Sequence, residues 1–223
     1  MSTYTIESCV STLAEAKLAE NNGANRLELC ARLDLDGLTP GVDLVRQVLS
    51  AVQIPVKVMI RHRDGNFCYS NEDMEQIFAH IALMKACGAK HFVFGSMADG
   101  HLDLGQLEEV LSCLRDDDYP VQSLTIHKAI DTSTDIIRDL SMLIKSKVYR
   151  DAKKANIGLA VLTSGGATTA MEGKDMLRKL IQLAENRLEI ICAGRITYNN
   201  LPEHKSVIGG YSYHGRRIIP LSH

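Results

Sequence analysis

The chain alternates eight times between a short apolar run and a longer stretch with helical spacing, and this alternation restricts its fold more than any other feature. The runs cover residues 4–10, 26–30, 56–61, 91–95, 123–127, 158–164, 188–194 and 210–216. Each has the length and apolar content of a buried strand. Helical patterns fall between them at 12–22, 42–52, 72–87, 104–114, 134–145 and 170–185. In the third of these, Ile77, Ile81 and Met84 form one apolar face. Ser11, Ser70 or Asn71, Asp103 and Ser133 are placed to cap helices, and Gly23 and Gly88 to end them. Regular strand–helix alternation over 223 residues predicts an α/β fold, a single compact (β/α)8 TIM barrel. A doubly wound open sheet would share the pattern. No G-x-G-x-x-G follows the first strand, however, so no nucleotide cofactor is expected. No Pro/Gly/Ser-rich linker divides the chain, and residues 1–223 are expected to form a single domain. Residues 146–156 are polar and charged, a solvated excursion by their composition. After Gly194 the last two helices are hard to place, which predicts an abbreviated or distorted last repeat.

With 25 Lys and Arg against 27 Asp and Glu, the net charge is −2. That provides no basic footprint for nucleic acid or an anionic membrane. No apolar run approaches the roughly 18–20 residues of a spanning helix. The opening residues lack a basic region followed by a hydrophobic block, so no secretory leader is expected. Six scattered cysteines, none in a C-x-x-C pair, read as reduced thiols in a cytoplasmic protein.

Polar residues gather at the C-terminal ends of the strands, where TIM barrels build their sites. Period-two spacing pairs Glu7 with Cys9, Glu28 with Cys30 and Arg61 with Arg63. If these faces point inward, one mouth holds carboxylates, thiols, guanidinium groups and the His127 imidazole. Buried charges need partners, so Glu7 and Glu28 are expected to meet Arg61, Arg63 or Lys128. The plain alternative is an ion-pair network that fills the barrel.

The blocks IESCV, NRLELC, GLTP, VMIRHRDGNFCYS, FVFG, TIHKAID and LTSGG, in that order from about Thr5 to Gly194, resemble the CutC family of copper homeostasis proteins. Each block is weak alone, and together in order they are specific. The resemblance implies a TIM barrel, a cytoplasmic location, homo-oligomerisation and a role in copper binding or trafficking. The chain departs from the family pattern at three places. Lys128 follows His127 where the family usually carries arginine, the seventh loop is reduced to Ala193-Gly194-Arg195, and the last motif survives in part as Tyr213-His214-Gly215-Arg216.

Two chemistries compete for the mouth. Cu(I) prefers soft thiolates, and Cys9 and Cys30 on adjacent strands could supply two, with His127 as a third ligand. Neighbouring Arg or Lys would favour the thiolate forms. The alternative for both is packing as small hydrophobes, which is also expected of Cys87, Cys113 and Cys192. Cys68 lies in a loop and is expected to be exposed. The other chemistry is an enzyme acting on a small phosphorylated or carboxylated metabolite. Arg61, Arg63 and Lys128 would clamp the anion, and Ser164, Gly165 and Gly166 would cradle it ahead of a helix beginning near Thr169. Glu7, Glu28, His127 and Asp131 would handle protons. A mouth that binds an anion or metal without catalysis fits the same residues.

Overall fold

The protein is described by a computed structural model covering residues 4–115 and 119–220. Eight parallel strands run in order around a closed barrel. They are β1 (Thr5–Val10), β2 (Arg26–Leu29), β3 (Val56–Met59) and β4 (His91–Phe94), then β5 (Ser123–Ile126), β6 (Gly158–Thr163), β7 (Glu189–Cys192) and β8 (Ser212–Gly215). Strand β8 pairs back onto β1 from Thr5↔Ser212 to Ser8↔Gly215. The seam between β7 and β8 is short, with only Ser212↔Ile191 and Tyr213↔Cys192 in register, yet it closes the (β/α)8 TIM barrel.

Among the described residues eight α-helices surround the barrel: α1 (Leu13–Asn21), α2 (Val42–Ala51), α3 (Asn71–Ala86), α4 (Leu104–Leu114), α5 (Ile136–Lys145), α6 (Lys147–Lys154), α7 (Lys174–Ala184) and α8 (Leu201–Ile208). Both α5 and α6 follow β5, and among the described residues no helix follows β8. The expected excursion at 146–156 is therefore wrong: most of it is α6. Ser146 caps it by accepting the Tyr149 N–H at 3.2 Å, and Val148 and Ala152, one turn apart, are buried. Two apolar residues in a charged octapeptide make too narrow a stripe to stand out in a composition reading. Helix α8 was hidden for a related reason, since His204 shares its buried face with Leu201 and Ile208.

Local signals set most other boundaries. Ser70 and Asp73 form a reciprocal capping box at the start of α3. Two expected caps shift: Thr12 rather than Ser11 caps α1, and Asp135 rather than Ser133 caps α5. Ser133 instead ends a 3-10 helix over Lys128–Thr132. The expected helix at 170–185 is shorter, because α7 begins only at Lys174.

Alternation along the strands sorts side chains into two compartments. Val10, Leu27, Leu29, Val58, Phe92 and Phe94 belong to one large apolar core shared with the helices. The alternate set faces the barrel axis, where apolar contact shrinks to two small groups. One is Cys9, Cys30, Met59 and Val93, and the other is Ala160, Leu162, Ile191 and Ala193. The remaining axial positions are polar: Glu7, Glu28, Lys57, Arg61, Thr125 and His127 are all buried.

A solvated segment at 146–156 would tolerate a charge at Val148, whereas α6 buries that side chain. Val148→Asp is expected to cost about 3 kcal/mol of unfolding free energy or more, against under about 0.5 kcal/mol for Lys153→Asp on the exposed face. Urea unfolding of both variants checks this.

Candidate functional site

The floor of the site is an ion network inside the barrel. Glu7 on β1 is 0% exposed and meets three cationic side chains. Arg26 on β2 pairs with Glu7 Oε2 through its Nε. Lys57 Nζ on β3 lies 2.9 Å from the same oxygen, off the angle of a hydrogen bond, and His214 Nδ1 on β8 lies 2.8 Å from Oε1. Arg26 also grips Glu189 on β7 through two parallel contacts of 2.8 and 3.0 Å. Burial opposes charge on Glu7, but Lys57, His214 and Arg26 hold its carboxyl well below the usual range. The expected partners Arg61, Arg63 and Lys128 take no part, so that expectation is corrected. Lys57 was overlooked in the sequence, where a lone lysine in the run VKVMI, with the parity of Arg61, was its signal.

The thiols lie immediately above this floor. The ligand atoms of Cys9, Glu28 and Cys30 all lie within 4.8 Å of one another, as do those of Glu7, Glu28 and His214. His214 Nε2 is 3.7 Å from Glu28 Oε2, and Cys30 Sγ is 3.5 Å from the same oxygen. A hydrogen bond from Cys30 is the largest influence on Cys9; it outweighs burial and, with help from His214, brings the Cys9 thiol down to about 5. The same pairing, with burial, pushes Cys30 well above the ordinary thiol range. Burial lifts Glu28 to about 8 against the pull of His214. Burial opposes charge on His214 as well, yet Glu28, Cys9 and Glu7 keep the imidazolium favoured far beyond its normal range. The cluster thus favours the thiolate at Cys9 beside a charged His214, and the thiol at Cys30.

The register also limits what the two thiols can do to each other. Cys9 stands opposite Glu28, so Cys30 is two residues further along the neighbouring strand. With a rise of about 3.3 Å per residue and strands about 4.8 Å apart, their Cα atoms are roughly 8 Å apart. A disulfide needs less than about 7 Å. Both cysteines are free thiols, converging through their side chains alone.

The predicted anion clamp is distributed differently. Arg61 is buried, with Nη1 donating to the Leu35 and Gly37 carbonyls and Nη2 to that of Gly65, and its guanidinium lies over Phe67. It ties two loops together at the rim. Arg63 leaves the mouth altogether for Asp73 at the start of α3, at 2.8 Å, and for the Cys68 carbonyl. The Ser164–Gly166 turn is already filled. Asp131 accepts the Ser164 and Gly166 N–H groups at 2.9 Å each, the Ser164 hydroxyl at 2.8 Å, and the Thr163 hydroxyl. An incoming anion would have to displace that carboxylate, and α7 begins too late to add its N-terminus. Lys128 stays at the mouth, half exposed, 3.8 Å from Asp131.

His127 Nδ1 accepts the Ala129 N–H at 3.1 Å, which places the ring proton on Nε2. Burial, aided by Arg61, lowers its pKa to about 3, so it stays neutral. Its free lone pair is spent on the backbone, so it serves neither as a third metal ligand nor as a base. Of the remaining cysteines, Cys68 is exposed as expected, but Cys113 is exposed where packing was expected. Cys192 is buried, and its thiol is pushed up to about 12. Above the thiols opens a cavity of about 700 Å³, lined by Cys9, Glu28, Cys30, His127 and His214 and rimmed by Arg195, Arg216 and Arg217.

Eight parallel strands around a buried thiol–carboxylate–imidazole cluster define a TIM-barrel protein with a paired-thiol centre at the C-terminal ends of its strands. The chain belongs to the CutC family, whose family model matches residues 4–219. It is 35% identical over 212 residues to the human copper homeostasis protein cutC homolog, covering 95% of this chain and 72% of that one. It is 34% identical over 220 residues to the family protein CutC of Porphyromonas gingivalis, covering 97% and 83%. The crystal structure of CutC from Streptococcus agalactiae superposes with a TM-score of 0.81 at 25% identity, covering 97% of this chain and all of that one, 100%. N-(5'-phosphoribosyl)anthranilate isomerase from Pyrococcus furiosus, with a TM-score of 0.54 at 13% identity over 95% of this chain and 86% of that one, shares the fold alone.

Two outcomes follow from the site. Glu7→Gln leaves Lys57 and Arg26 buried beside a neutral amide, and is expected to cost about 3–5 kcal/mol in a urea unfolding experiment. Iodoacetamide labelling of Cys9, followed by mass spectrometry, should proceed at a nearly constant rate from pH 8 to about 6 and decline only near pH 5, where its thiolate is lost. An ordinary thiol near 8.5 would instead slow about tenfold per pH unit across that range.

Proposed function

We propose that this protein acts in copper homeostasis by binding Cu(I) through Cys9 and Cys30. The observation that carries the reading is the convergence of two thiols on one carboxylate, all within 4.8 Å. One thiol is already a thiolate beside His214, and thiolate is the soft ligand that Cu(I) prefers. A parallel pair offset by two residues can share an ion but lies outside disulfide reach, which favours a metal role over a redox role. Binding the ion at the second thiol displaces its proton to solvent, since Glu28 beside it is held toward its neutral form. His214 balances the negative charge gathered there, and Lys57 and Arg26 fix its partner Glu7. The names of the human relative and of the Streptococcus agalactiae protein support the copper-homeostasis part of this reading. Free thiols throughout fit the reducing cytosol, and among the described residues no helix is long and apolar enough to cross a membrane.

An anaerobic Cu(I) titration against a chromophoric chelator tests this. Wild type should bind one ion, Cys9→Ser/Cys30→Ser should bind at least about 100-fold more weakly, and His214→Gln about tenfold more weakly. His127→Ala should leave affinity unchanged. Equal binding by wild type and the double variant would overturn the proposal.

A further inference from the structure

The mouth above the thiols is larger than a metal ion requires, and its rim is positively charged. About 700 Å³ is the size of a pocket for a small organic molecule. Lys128, Arg195, Arg216 and Arg217 stand exposed around it. Among the described residues, the guanidinium groups of Arg195, Arg216 and Arg217 make no hydrogen bond or ion pair. The facing acids offset little of this charge. Asp131 is consumed by its own turn, Glu28 lies buried at the floor 3.7 Å from His214, and of the acids lining the cavity Asp36 alone stands on the rim among the described residues. A chain of net charge −2 thus concentrates positive potential at one opening.

A second, independent feature lies in the wall of the same cavity. His127 is 5% exposed, and its Nε2–H is buried without a partner among the described residues. Because Nδ1 is held by the Ala129 N–H, this Nε2–H is a fixed donor rather than a titrating group. The ring is wedged against Phe67, with centroids 5.0 Å apart, and over Gly95, where a Cβ would stand 2.7 Å from Nδ1. A buried donor left unpaired costs free energy unless something occupies the cavity. The loops that carry the arginines are braced as well. Tyr198 N donates to the Arg217 carbonyl at 2.8 Å, and Arg195 holds a left-handed backbone with φ of 55°. Loops after the seventh and eighth strands are where barrels of this kind often hold anions.

We propose that the mouth binds a small organic anion whose carboxylate or phosphate oxygens accept the His127 Nε2–H and pair with Arg195, Arg216 and Arg217. The apolar body of such a ligand rests on Leu33, Phe67 and Ile196, which line the same cavity. This site is complete in the metal-free protein and does not rest on the copper reading.

The test is calorimetric titration of the metal-free full chain at low ionic strength with citrate, glycerol 3-phosphate and inorganic phosphate. Saturable binding of citrate or glycerol 3-phosphate is expected, weakened at least about tenfold in Arg216→Ala/Arg217→Ala and in His127→Phe. His127→Gln, which keeps a side-chain N–H, should recover part of the loss, and Arg46→Ala on α2 should change nothing. Citrate binding alone assigns a carboxylate ligand, and glycerol 3-phosphate binding alone assigns a phosphate ester. Absence of saturable binding overturns the proposal, as does retention of inorganic phosphate only. Affinity unchanged in both the double arginine variant and His127→Phe overturns it too, with thermal unfolding confirming that each variant is folded.

Discussion

Glu7 is fully buried, and its carboxylate sits among Arg26, Lys57 and His214, which come from three other strands. Through Arg26 the same network reaches Glu189 on β7. Five of the eight strands are thereby joined at the barrel axis by charge rather than by apolar contact. Taking such charges out of water is costly and is offset only when each finds its partner. The arrangement therefore specifies register more than it adds stability: a one-residue slip of β1 would send Glu7 into the helix-facing core, strand Lys57, and leave Arg26 with Glu189 alone. It also determines where His214 stands, and everything above depends on that.

The paired-thiol centre rests on that floor. The Cys30 hydrogen bond, with help from His214, favours the Cys9 thiolate, and Glu7 below holds the charge of His214. Glu28 can stay largely uncharged in the same cluster because burial outweighs the pull of His214. Two carboxylates on adjacent strands are thus pushed in opposite directions, divided by how many cations each can reach. The two-residue offset between Cys9 and Cys30 brings sulfur atoms close while keeping the backbones apart. Reactivity toward a soft ion is preserved without a route to a cross-link.

Above the thiols the polar residues divide between structural ties and open positions. Arg61, Arg63, Asp131 and the Ser164–Gly166 turn are consumed by the loops that carry them, and together they give the mouth a rigid wall. His127 in the wall and Arg195, Arg216 and Arg217 at the rim keep donors without a partner among the described residues. This division follows from distance along the chain. The tied groups find carbonyls or N–H groups within their own or adjacent loops, while the arginines of the last two loops make no such bond among the described residues.

The barrel itself was legible in the residues. Alternation of short apolar runs with amphipathic stretches is a local property, and parity along β1 and β2 already set Glu7, Cys9, Glu28 and Cys30 on one face. Helix α6 was not legible, because Val148 and Ala152 count as a buried stripe only once α4 and α5 lie against them. Nor was the outcome of charge pairing. Lys57, Arg26 and His214 claimed Glu7, while Arg61 and Arg63, closer to the expected mouth, turned to carbonyls and to Asp73. The sequence by itself determined the element order, the strand parity and the presence of two thiols at the barrel mouth, since these depend on spacing along one strand or helix. Tertiary structure alone decided which ion pairs formed, which thiol became charged and which donors stayed free, because pairing and desolvation depend on distances between residues as far apart in the chain as Glu7 and His214.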